Sequence, residues 1–273
     1  TGTDALAAGK NTAASRLGAT AVGTGANASG AFSVANGHEA TAAGQDSTAT
    51  GYQASASGPF SSAYGSHANA SGASTVAVGL SSVASGVGAV ALGAGANATA
   101  DHALVGGHNS NATGVGSVAL GWSANALADG AVALGTSSRV THAGGVAIGR
   151  GSVASLAAGF AGYDPSTGAP STDKTPVWRS TEAGVSVGDV ANGITRQITG
   201  VAAGTNATDA VNVAQLQAVA GQAVAASNKW ITGSQTTTYV APTASGSEST
   251  AVGSGAVANA NNSVAVGTGA TAT

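Results

Sequence analysis

Gly184-Val185-Ser186-Val187-Gly188 has the G-x-S-x-G spacing of a nucleophilic serine. Such a serine needs a histidine later in the chain to take its proton. The five histidines, His38, His67, His102, His108 and His142, all precede it. Gly, Ser and Val are abundant enough to produce the pattern by accident, so the chain reads as not an enzyme. The histidines fall in different columns of a repeat and read as surface residues, not a ligand set. There is no Cys, hence no disulfide, thiol nucleophile or Cys-ligated zinc. The dinucleotide, P-loop and calcium-nonapeptide motifs are absent, so no cofactor and no metal is expected. Asn-x-Ser/Thr triplets begin at Asn27, Asn69, Asn97, Asn111, Asn206 and Asn261. Four of these come from one repeat column and read as surface Asn beside a turn.

The elements that carry these residues are unusual in composition. Of 273 residues, 65 are Ala and 43 are Gly, while charged residues are 7% and aromatics 4%. An ordinary enzyme core needs larger side chains than this. Gly is not at every third position and there are 5 Pro, which excludes collagen. With a net charge of −3 and no basic cluster, nucleic acid is a poor partner. No apolar run is long enough to span a membrane as a helix, and no signal-peptide core is present. The chain opens on Thr1 and has no Met, which reads as a piece of a longer polypeptide.

An internal ruler organises the sequence. Gly9, Gly23, Gly37, Gly51, Gly65, Gly79, Gly93, Gly107, Gly121, Gly135 and Gly149 follow one another at intervals of fourteen. Ala stands two before the glycine in ten of eleven units, with Val105 the exception, and five after it in ten, with Val140 the exception. Fourteen residues are too few for a helical-hairpin repeat, and Gly in every unit opposes helix. They suit one coil of a β-solenoid, two short strands and two tight turns, stacked at about 4.8 Å per coil.

Alternation of side chains along a strand turns the columns into a cross-section. The Ala column, Ala91 for example, meets Ala96 and Ala98 of the second arm in a thin interior. Asn27, Asn69, Asn97, Asn111 and Asn125 face solvent. The remaining face carries Val76 and Val78, Val90 and Leu92, Val118 and Leu120, Val132 and Leu134, Val146 and Ile148. With the interior already filled, this apolar stripe points outward and needs a partner. The simplest partner is the same stripe on identical chains about an axis parallel to the stack. Earlier coils are more polar there (Val34/Asn36, Thr48/Thr50, Ser62/Tyr64), so association should weaken at that end.

Phase is lost after Ala154. The expected plan is head repeats over 1–156, an insert or loop over 157–182, a neck over 183–212 and a short coiled coil over 213–230. Residues 231–273 read as a connector and the start of a second head, since Gly253 and Gly267 resume the ruler. Asp209 is the expected N-cap of the helical stretch, whose Val213, Leu216, Ala220, Ala223, Ser227 and Trp230 follow 3–4 spacing. Arg196 is the only base between Arg179 and Lys229, and is expected to pair with Asp189 or Asp209, between subunits more than within one.

The fourteen-residue frame, followed by Ser186-Val187-Gly188, Arg196-Gln197-Ile198, Val201-Ala202-Ala203-Gly204 and Thr208-Asp209-Ala210-Val211-Asn212-Val213-Ala214-Gln215-Leu216, resembles the trimeric autotransporter adhesins. The repeats look like their YadA-like head and residues 184–216 like their neck. The resemblance implies an all-β homotrimer of left-handed parallel β-rolls, then a neck and a short trimeric coiled coil. It implies neck residues Arg196, Ile198, Val201, Asp189, Asp209, Val213 and Leu216, and a connector around Lys229-Trp230-Ile231. It also implies a place on the bacterial surface, held in the outer membrane by a C-terminal anchor outside this sequence. The reading is an adhesin segment whose trimer binds host cells or matrix multivalently. A passive spacer is the alternative, and an ice-binding solenoid a lesser one, since Thr48-Ala49-Thr50 is the lone Thr-x-Thr in the stripe columns.

Overall fold

The computed structural model describes residues 2–227 and 240–273. The connector residues Lys229, Trp230 and Ile231 lie outside them. The chain forms two compact units, Thr1–Ile198 and Thr199–Thr273.

In the first unit every coil contributes a three-residue strand, such as Val90–Leu92, and a two-residue strand, such as Asn97–Ala98. The long-arm strands stack in chain order into a twelve-stranded sheet, and the short-arm strands into an eleven-stranded one. All neighbours are parallel, and each residue pairs with the one fourteen later: Val76 with Val90, Ala77 with Ala91, Val78 with Leu92. The expected β-solenoid with fourteen-residue coils is therefore the observed fold.

The ruler glycine has two causes. Its φ lies between +100° and +147° in every unit, a region that a Cβ disfavours. A Cβ on Gly93 would also stand 2.6 Å from the carbonyl oxygen and 2.7 Å from the carbonyl carbon of Gly107 in the next coil. The chain thus turns at the point where successive backbones come closest. Two further residues per coil, two and nine after the ruler glycine, sit near φ +55° to +70°, among them Asn11, Gly25, Gly18 and Asp46. These are the tight turns, and Gly, Asn and Asp are the residues that tolerate them.

Between the arms lies an interior of alanine. Ala77, Ala91, Ala96 and Ala98 are fully buried, and so are the two exceptions, Val105 and Val140. Where Ser or Thr replaces Ala inside, its hydroxyl donates to the carbonyl three residues back, or four back at Ser152. Ser33 bonds to Gly30 at 2.7 Å, Thr75 to Gly72 at 2.8 Å and Ser117 to Gly114 at 2.6 Å. No hydroxyl proton of this set is left unpaired in the dry interior, which would be costly.

After Ala154 the chain leaves the roll and returns. Residues 157–182 are more than a loop: Tyr163–Asp164 and Ala169–Pro170 pair antiparallel as a hairpin. Val185–Ser186 then pairs with Val146–Ala147 and becomes the last strand of the long-arm sheet. The roll therefore reaches into the expected neck, past the boundary at 156.

The second unit holds helix α1 (Val213–Ser227) and a second set of coils. Thr243–Ala244, Val257–Ala258 and Thr271–Ala272 form one parallel sheet, Thr250–Val252 and Val264–Val266 another. Ala256 and Ala258 are fully buried between them, so the resumed ruler does specify resumed coils.

Candidate functional site

The outward face of the long arm carries every residue expected at the subunit interface. Val76, Val90, Val118, Val132, Leu134 and Val146 are half-buried in the single chain. Val78, Leu92, Leu120 and Ile148 are exposed, Leu92 by 43% and Ile148 by 45%. The stripe is interrupted once, at Leu104-Val105-Gly106, where the Leu120 side chain leans over Gly106: a Cβ there would meet Leu120 Cδ2 at 2.7 Å. An apolar row along many coils is a larger exposed patch than scattered surface leucines would give.

The outward face of the short arm is polar but less solvated than the sequence suggests. Asn27, Asn69, Asn97, Asn111 and Asn125 are half-buried. Asn97 Nδ2 donates to Asn111 Oδ1 at 2.9 Å, and Asn111 to Asn125 at 3.4 Å. Stacking in register brings identical amides together, so the column forms a ladder.

The two turn columns carry what the sequence columns treat as plain surface. One residue after the ruler glycine, the His38 ring stacks on Tyr52 with centroids 5.3 Å apart, and His67, two after its own ruler glycine, meets Tyr52 edge-on at 5.3 Å. Further along, Trp122 Nε1 donates to His108 Nδ1 at 3.1 Å. On the opposite edge Phe32 and Phe60 are exposed at φ +55° and +57°. At Phe32 and Phe60 the sequence signal is a bulky ring in a column filled mostly by Gly, Asp and Ser, with His102 the other ring. Among the described residues no group of three or more His, Asp or Glu is placed to hold a metal ion.

In the neck, Arg196 is bonded to the end of the roll. Its guanidinium donates to Ser152 Oγ at 3.0 Å, to the Arg150 carbonyl at 2.6 Å and to the Val187 carbonyl. It covers Gly149, whose Cβ would stand 3.0 Å from Arg196 Cζ. None of these partners is a carboxylate, so the ion pair expected with Asp189 or Asp209 is not what holds Arg196 within the chain. Asp189 accepts from Asn192 at 2.6 Å. Asp209 accepts from the Asn206 and Thr205 amides at 2.8 and 2.9 Å. These bonds hold the Asp209 carboxyl below the usual carboxylate range, the Asn206 amide first and then that of Thr205.

Asp209 is also not the helix N-cap. That position is Asn212: Gln215 N donates to Asn212 Oδ1 at 3.0 Å, and Asn212 N to Gln215 Oε1 at 3.2 Å. The reciprocal pair is a capping box, which Asp209 cannot make because its carboxylate is turned back on the preceding loop. Gln215 also holds Gly204 through both its amide N–H and its carbonyl, at 3.0 and 2.9 Å. Ile198, Val213 and Leu216 are exposed, at 71%, 70% and 64%, while Val201 is half-buried. The G-x-S-x-G serine is engaged structurally: Ser186 Oγ donates to the Gly188 carbonyl at 2.7 Å.

A β-roll that fills its own interior and turns one apolar face outward belongs to the repeat proteins that assemble and bind through surfaces. The sequence matches the family described as YadA head domain repeat in overlapping stretches over residues 1–152, and again over 244–270. Residues 197–239 match the family described as coiled stalk of trimeric autotransporter adhesin. The chain belongs to the YadA-like trimeric autotransporter adhesins.

Among curated relatives, autotransporter adhesin BadA of Bartonella henselae is 59% identical over 70 residues, 26% of this chain and 2% of that protein. Trimeric autotransporter adhesin AtaA of Acinetobacter sp. strain Tol 5 is 53% identical over 76 residues, 27% of this chain and 2% of that protein. The matched stretches are thus a small part of very long relatives. Among solved structures, the collagen-binding domain of Yersinia adhesin YadA aligns over 81% of this chain and 84% of its own, at 28% identity and TM-score 0.32. A C-terminal YadA-like domain from Burkholderia pseudomallei aligns over 49% and 59%, at 27% identity and TM-score 0.28. The family and the β-solenoid point to a structural or adhesive role and not to catalysis.

Proposed function

We propose that this chain is the head-and-neck segment of a bacterial cell-surface adhesin that works as a homotrimer and attaches to host cells or extracellular matrix. The single observation that carries the assembly is the outward row from Val76 to Ile148 on a roll whose interior is already closed by alanine. Three copies facing one axis cover that row, and the exposed Val213 and Leu216 of α1 are covered in the same way in a short coiled coil. The roll is left-handed on this reading, as the family implies. Adhesion then comes from surfaces repeated three times around a stiff rod, so weak contacts add through avidity. Among the described residues no helix is long and apolar enough to cross a membrane.

The experiment is a head deletion in the surface-displayed protein that keeps residues 183–273. Loss of attachment to host cells, or to immobilised collagen, fibronectin or laminin, supports the adhesin. Unchanged attachment makes this head a spacer.

A further inference from the structure

Exposed phenylalanine at a left-handed turn position is an outlier that needs a cause. Seven of the eleven residues in the Phe32 column, nine after the ruler glycine, are Gly, Asp or Ser, which accept φ near +60° or need little room there, and His102 is the other ring in it. Phe32 and Phe60 accept the same strain and still expose their rings by 52% and 58%. They stand two coils apart, about 10 Å along the stack.

On the opposite edge of the roll, in the same coils, stand His38, Tyr52 and His67, packed on one another and open to solvent. Phe32 enters the strand Val34–Asn36 that His38 leaves, and Phe60 enters the strand Ser62–Tyr64 that ends two residues before Ser66. The two aromatic edges therefore lie at matching heights. They also coincide with the coils whose outward long-arm residues are mostly polar: Val34/Asn36, Thr48/Thr50 and Ser62/Tyr64. Where the axial stripe is least apolar, the edges are most aromatic.

A threefold arrangement fixes what meets these edges. If the long-arm sheet faces the axis, the end of each strand approaches the start of the equivalent strand in the next chain. We propose that Phe32 and Phe60 of one chain pack against the His38–Tyr52–His67 edge of its neighbour, forming an aromatic clasp between subunits at the polar end of the head. This inference rests on the trimer reading above. The clasp supplies the burial that the polar stripe lacks, and burial between chains accounts for the strained, exposed rings. It is heterologous, edge one to edge two, so it is compatible with a ring of three and adds no symmetric two-chain alternative.

The chain has no native Cys, which makes the test clean. Phe60→Cys is combined in turn with Tyr52→Cys, Ser66→Cys and Leu80→Cys, which sample the opposite edge one coil before, level with and one coil after it. The edges of one roll flank a full strand and its turns, too far apart for an internal disulfide. Oxidation should give a covalent trimer on a non-reducing gel for at least one pair, and none for the single-Cys variants. Light scattering run alongside separates the possible failures. A trimer with no cross-link for any pair overturns the clasp and leaves the trimer standing; absence of a trimer removes both.

A second variant reads the energetics. Phe32→Asn with Phe60→Asn places a residue at ease in the left-handed turn. If the rings serve the trimer, amide exchange in the coils of Gly37 to Gly65 should accelerate by about tenfold or more, although turn strain has been removed. Unchanged or slower exchange would overturn the proposal.

Discussion

The head roll and the segment from Ile198 to Leu216 differ in where their partners come from. In the head each coil is completed by the coils before and after it: Ala91 pairs between Ala77 and Val105 and is fully buried in a single chain. From Ile198 onward local hydrogen bonds tie the loop together, as at Gln215 and Asp209, yet Ile198, Val213 and Leu216 stay exposed. A repeat can satisfy itself within one chain, whereas Ile198, Val213 and Leu216 find no cover within theirs. The lesson extends to the stripe on the head, which is structurally finished but not covered.

Substitutions can break or sharpen this contrast. The largest effect is expected at the ruler: Gly93→Ala should cost several kcal/mol, since the added Cβ meets Gly107 backbone and φ is +132°. Gly221→Ala in α1 meets nothing within 4 Å and should instead add about 0.5–1 kcal/mol of helix stability. Midpoints of denaturant unfolding would show both signs. Next, Ala91→Leu should cost about 1–3 kcal/mol per chain by overpacking the thin interior, while Asn97→Leu on the outward ladder should cost less. Equal losses would mean that the faces are wrongly assigned. Arg196→Ala strips the donors from the last turn of the roll and should cost about 1–3 kcal/mol. Arg139→Ala, on the exposed short-arm face, should stay within about 0.5 kcal/mol. The smallest effect concerns Asp209. Its folded carboxyl is held below its ordinary value, so its contribution is present above the ordinary carboxylate range and is lost as pH falls through the folded value. Asp209→Asn should remove that acid-side dependence from the unfolding of the neck loop and little else.

Much of the head was legible because its period ties every column to one environment. Ala91 inside, Leu92 outside and Gly93 at the turn follow from spacing alone, and register then needs no further information. The halfway burial of Asn97 was not legible, because one Asn gives no sign that Asn111 stacks against it. The intrachain partners of Arg196 were not legible for a related reason. A base in a Val/Ala/Gly-rich segment suggests a carboxylate, but the carbonyls of Arg150 and Val187, freed where the roll ends, have no side-chain signature. The cap at Asn212 lay in plain sight as Asn-x-x-Gln, three residues after the Asp that drew attention. Phe32, Phe60 and the His38–Tyr52–His67 cluster were hidden by scatter across coils, and only the fold lines them up.

The central claim is that the row from Val76 to Ile148 is buried between three identical chains. Leu120 is 38% exposed in a single chain, and its side chain lies over Gly106 on the outward face, outside the alanine interior. Light scattering on the unmodified segment and on Leu120→Asp tests this most directly. The account predicts a trimer for the first and monomer or aggregate for the second. A clean, unchanged trimer carrying Asp at 120 would contradict it.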